Sequence, residues 1–174
     1  GAPRRSYLSL LDWKERWIDG GRKALLHAPA QLEMLALEAC VERIEADGLE
    51  TVMGRHRGAA AATRAGVRVL GGGLEPYVYA DHEAAPVATT LRTPTGVVAS
   101  ELVSRALSCE PALPLAAGGG ALASEMIRVN HYGVDATREV VRGCLSALGA
   151  ALVEKGAAAV DVEGALRAAE EAWR

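Results

Sequence analysis

Met126 to Thr137 read MIRVNHYGVDAT, an alternating run that passes directly into a helix start. Side chains on a strand alternate between two faces, so Arg128, Asn130 and Tyr132 share one side and Ile127, Val129 and His131 the other. The more apolar side is expected to pack on helices. Downstream, Asp135 or Thr137 can cap a helix over 136–155, with Val141, Cys144, Leu145, Leu148 and Leu152 facing inward. The tail from Val160 forms a last helix with the stripe Val162, Leu166, Ala169 and Trp173.

Upstream of this run the Gly-rich stretch AAGGGALAS lacks the GxxxxGK[ST] pattern and leads into a strand rather than a helix, so it reads as a close turn and not as a phosphate loop. PALPLAA, VATTLRT and EPYVYA are three further strand candidates, with a helix over 97–107 between the last two strands and the first two. Before Gly71 the period is helical throughout. Leu49, Val52, Ala60 and Val67 fall near one face of a long helix ending at GGG. Ahead of it, QLEMLALEACVERIEAD puts Met34, Leu37, Val41 and Ile44 on one stripe flanked by Glu38, Glu42 and Glu45. Tyr7 to Trp17 predicts a short first helix. The pattern is an α/β chain of the α+β kind: two long helices, then a small, mainly antiparallel sheet covered by helices.

Composition narrows the function classes. A net charge of −3 over 174 residues gives no electrostatic ground for a nucleic-acid partner. No apolar run approaches the roughly 20 residues that cross a bilayer. Cys40, Cys109 and Cys144 are odd in number and far apart, which suits neither a disulfide framework nor a zinc site and points to a reducing cytoplasm. Phe is absent, so the core must be built from Leu, Val, Ile and Ala, with closely packed helices.

Among chemistry-bearing residues, His27, His56, His82 and His131 show no metal-ligand spacing and read as scattered polar side chains. Lys23, behind two glycines in GGRKALLHAPA, has the look of a Schiff-base lysine but reads better as solvated. Arg128 is open to two readings. A guanidinium held on a strand is a rigid planar fork for a carboxylate, a geometry lysine cannot copy; it is equally suited to an ordinary surface salt bridge.

Taken in order, SYLSLLDWKERW, HAPA, QLEMLALEACVERIEADGLE, GRHRGAAAATRAGVRVLG, TTLRTPTGV and IRVNHYGVDAT resemble the C-terminal portion of class V aminotransferases. The group is that of the alanine-glyoxylate, serine-glyoxylate and pyridoxamine-pyruvate enzymes, which are pyridoxal-phosphate proteins of fold type I. The resemblance runs from Ser6 to about Val153, and its most specific features are GLE followed by HR on a long helix and the Arg-containing strand before an AT helix start. It implies that Arg128 binds the substrate carboxylate, and that residues 1–70 pack on a large cofactor-binding domain while 71–174 form the small domain.

The same resemblance implies that the Schiff-base lysine, the aspartate on the pyridinium nitrogen and most phosphate contacts belong to an N-terminal domain lacking here. It argues against Lys23, which lies too close to the helix beginning at Gln31. The family's Tyr-x-x-Thr-Pro stretch, which reaches the neighbouring subunit's cofactor phosphate, is matched by LLHAP, with Leu25 and Ala28 in place of both hydroxyls. The expectation is a subunit or fragment of a pyridoxal-phosphate aminotransferase acting on a small amino acid or oxo acid. It would supply the carboxylate clamp and dimer surface, be inactive alone, and work in a homo- or hetero-oligomer with the large-domain half on a separate chain. The alternatives are a non-catalytic scaffold descended from the same fold, or a subunit of a fold type I lyase, desulfurase or racemase.

Overall fold

A computed structural model of the chain describes residues 4–6 and 8–173. Two compact units are present, one reaching to Gly48 and the other starting at Leu49.

In the N-terminal unit, α1 (Leu10–Asp12) begins at Ser9, whose hydroxyl accepts the amide hydrogen of Asp12 at 3.1 Å. Its continuation, Trp13–Ile18, widens into a π-helical turn where regular helix was expected. Tyr7, the expected start of this helix, lies outside the described residues. The buried Asp12 is held by the Arg5 amide at 2.7 Å and by Arg4 at 3.2 Å. After the linking segment comes α2 (Gln31–Asp47), as expected, ended by Gly48 at φ 83°. Every residue of α2 is exposed, including the stripe Met34 (59%), Leu37 (57%), Val41 (45%) and Ile44 (37%).

The C-terminal unit opens with α3 (Leu49–Leu70), whose second half carries Gly58, Ala59, Ala62, Gly66 and Val67 on its buried side. Small residues let helices approach closely. At Gly66 an added Cβ would collide with a Leu145 methyl and lie 3.1 Å from the Ala165 carbonyl. With no Phe to fill gaps, this Ala and Gly seam is how the core reaches native density. Because α3 buries this side against α5 (Arg138–Glu154) and α6 (Val162–Ala172), it belongs with the C-terminal unit.

Four short strands follow: β1 (Glu75–Pro76), β2 (Thr89–Arg92), β3 (Leu115–Ala117) and β4 (Met126–Val129), all antiparallel and ordered β1-β2-β4-β3. This is the small antiparallel sheet under helices that the periodicity implied. Leu91, Leu115, Ile127 and Val129 are buried on its inner face, against which α3 and α4 (Ala99–Cys109) lie. The expected strand over 75–80 shrinks to two residues. Beyond Tyr77 the chain leaves the sheet because Arg68 takes the Tyr79 carbonyl at 3.0 Å and Arg64 takes Asp81 at 2.9 Å, fastening the segment to α3 instead. The Arg68 and Arg64 guanidiniums hold the Asp81 carboxyl below the usual carboxylate range.

Where α3 ends, Gly71 adopts φ 73° and bridges Val160, while the Asp161 amide donates to the Leu70 carbonyl at 2.9 Å. A Cβ there would strike the Ala159 carbonyl as well as forcing a left-handed backbone. Gly71→Ala is therefore expected to lower unfolding free energy by about 1–2 kcal/mol or more, read from chemical denaturation. An unchanged midpoint would show that this turn can relax.

Candidate functional site

β4 is a central strand, paired on both edges. Arg128 stands opposite Thr90 of β2 and Ala116 of β3, on the face turned away from the helices. The expected alternation holds to the end of the run: Ile127, Val129 and His131 are buried, and Arg128 and Tyr132 are exposed. Regular pairing stops at Val129, although the Asn130 amide still donates to the Pro114 carbonyl at 2.9 Å.

Among the described residues no carboxylate lies within ion-pair distance of Arg128, whereas Arg64, Arg68, Arg105 and Arg138 each meet one. Among the described residues, the surface salt bridge weighed for Arg128 is not formed. Its backbone is well anchored, and two histidines do much of the anchoring. His131, buried on the inner face, shares a 2.8 Å hydrogen bond with Thr89 Oγ1 of β2. His56 of α3 lies 2.7 Å through Nδ1 from the Val52 carbonyl and 2.9 Å through Nε2 from the Gly133 amide. A carbonyl can only accept and an amide only donate, so His56 carries its proton on Nδ1.

Reading the histidines as scattered polar side chains missed this pair. For His131 the signal was available, since it falls on the apolar face of its own strand. For His56 none was, because its partner amide is 77 residues away.

Burial, with the Arg64 guanidinium nearby, pushes the His131 imidazole down to about 4. Folded His131 thus stays neutral at pH values where the unfolded chain, titrating near 6.5, takes up a proton. Its contribution is complete above about pH 6.5 and is lost as pH falls toward 4. Denaturation midpoints should drop across that window, and His131→Gln should flatten the slope. An equal slope in both proteins would assign the acid sensitivity to the carboxylates.

Lys23, Leu25 and Ala28 belong to the N-terminal unit. Lys23 is exposed on the segment between the π-helical turn and α2, as are Leu25 and Ala28. The Gly-rich stretch forms the turn between β3 and β4, closed by the Gly118 amide on the Met126 carbonyl at 2.7 Å. Thr137, rather than Asp135, caps α5 by accepting the Val140 amide at 3.2 Å. Among the described residues, no helix is long and apolar enough to cross a membrane, and no group of three or more His, Cys, Asp or Glu could hold a metal ion.

No protein-family model matches the chain. Pyridoxamine–pyruvate transaminase of Mesorhizobium japonicum is 32% identical over 155 residues, 89% of this chain and 38% of that protein. A Synechococcus protein named soluble hydrogenase, small subunit, is 30% identical over 150 residues, 86% of this chain and 37% of that protein. The crystal structure of pyridoxamine-pyruvate aminotransferase from Mesorhizobium loti superposes with a TM-score of 0.79 at 28% identity, covering 98% of this chain and 42% of that one. The chain thus spans about two-fifths of the length of the curated relatives it matches.

Proposed function

From a chain that resembles the C-terminal portion of class V aminotransferases, we propose that it forms the substrate-carboxylate side of a pyridoxal-phosphate aminotransferase. The observation that carries this reading is Arg128: a guanidinium on a central strand, free of any protein carboxylate among the described residues, and fixed by backbone pairing on both sides. Two parallel N–H groups of the fork meet the two oxygens of one carboxylate, and the rigid strand keeps that geometry before the ligand arrives. The Thr89–His131 and Gly133–His56 bonds hold the strand and its exit in place.

The cofactor carries the amino group between donor and acceptor in such enzymes, and this chain's residues do not make its site. Lys14 is paired with Asp19 and Lys155 with Glu101, Lys23 is exposed on a connecting segment, and Leu25 and Ala28 offer no hydroxyl to a phosphate. In this reading a large cofactor domain, on a separate chain or in an N-terminal part of the enzyme, completes the site. The exposed α2 stripe, apolar along its centre and flanked by Glu38, Glu42 and Glu45, is the surface offered to that domain or to a second subunit. The substrates are small amino acids and oxo acids, in a cytoplasmic oligomer. The test is Arg128→Lys in the assembled enzyme, read with and without the substrate carboxylate.

A further inference from the structure

Register places a second arginine on the same face of the sheet. Arg92 lies two residues along β2 from Thr90, the residue opposite Arg128, which makes the two arginines diagonal neighbours. Such positions stand about 7–8 Å apart, within reach of long side chains. Tyr77 organises Arg92: its amide donates to the Thr90 carbonyl at 2.8 Å, and its ring centre lies 4.6 Å from the Arg92 guanidinium carbon. The Tyr77 hydroxyl donates to Glu125 at 3.0 Å, so the nearest carboxylate to the ring is already engaged. Glu75, opposite Arg92 in register, forms no ion pair with it among the described residues.

Two like charges on neighbouring strands of one sheet face repel, a cost that an anion meeting both would relieve. Stacking on an aromatic ring sets the plane of a guanidinium and leaves its edge donors free. Beside Arg92 opens a hollow of about 430 Å³, lined also by Thr95, Ser124 and Glu125. We propose that Arg92 is a specificity-determining residue that reads a second, distal carboxylate, so that the site takes dicarboxylic amino or oxo acids. This rests on the reading of Arg128 as the clamp for the first carboxylate.

The experiment titrates the chain with succinate and with propionate, following arginine side-chain NMR signals in wild type, Arg92→Gln, Arg92→Lys and Arg128→Gln. Arg92→Gln should weaken succinate binding about tenfold and leave propionate within twofold, with Arg92→Lys in between. Arg128→Gln should weaken both ligands. If Arg128→Gln weakens both while Arg92→Gln weakens neither, or both alike, the second-carboxylate proposal falls and the clamp stands. If Arg128→Gln leaves propionate unaffected, the clamp itself falls. Absence of succinate binding by the wild-type chain overturns the proposal outright.

Discussion

Replacing Leu148 by alanine should lower the unfolding free energy by about 2–5 kcal/mol, the range for deleting a buried leucine side chain. Leu148 is fully buried on α5, the helix that runs against α3, α4 and α6. The cost should fall in the upper half of that range, because its helical neighbours Ala147 and Ala151 are too short to fill the space and the core has no Phe to reach across. Side chains already crowd the next residue, where a Cβ on Gly149 would lie 2.5 Å from a Val162 methyl and 3.2 Å from a Leu70 methyl, so little further collapse is open. Urea denaturation measures the effect, and Arg142→Ala on the exposed side of α5 serves as control, expected within about 0.5 kcal/mol of wild type. A Leu148→Ala loss below about 1 kcal/mol would mean that the seam is plastic.

Arg128→Lys should weaken carboxylate-dependent catalysis or binding in the assembled enzyme by about 1.5–3 kcal/mol, the worth of hydrogen bonds to a charged group. Lysine keeps the positive charge and loses only the planar, two-pronged geometry, so the loss isolates the fork. Thermal stability should barely move, since the side chain is exposed and forms no ion pair among the described residues. His131 makes the opposite case. It is buried and bonded across strands to Thr89, so changing it should lower stability and activity together.

What the sequence made legible was whatever repeats locally. The alternation of MIRVNHY placed Ile127, Val129 and His131 inward and Arg128 outward, and helical spacing on α5 named Val141, Cys144, Leu145, Leu148 and Leu152, all buried. The apolar stripe of α2 was equally readable, but periodicity says that a face is apolar and not what covers it. Features set by distant pairing stayed hidden. The Tyr77–Arg92 stack depends on β1 and β2 being neighbours, and Thr89 meets His131 across 42 residues. β1 looked longer than it is because EPYVYA has strand composition, while the Arg64 and Arg68 contacts that draw the chain off the sheet come from a helix earlier in the sequence. The π-helical turn at Trp13–Ile18 has no local signature in its residues.

The role of Arg128 is tested most directly by pairing its substitution with removal of the group it is said to hold. In the chain joined to its cofactor domain, kcat/KM is measured for wild type and Arg128→Lys with an amino acid and with the corresponding amine, which lacks only the carboxylate. The two proteins should differ by about 1.5–3 kcal/mol with the amino acid and hardly at all with the amine, as a double-mutant cycle requires of a direct contact. An equal loss with both substrates, or unchanged turnover with a lowered melting temperature, would make Arg128 a structural residue and contradict the assignment of this face to carboxylate recognition.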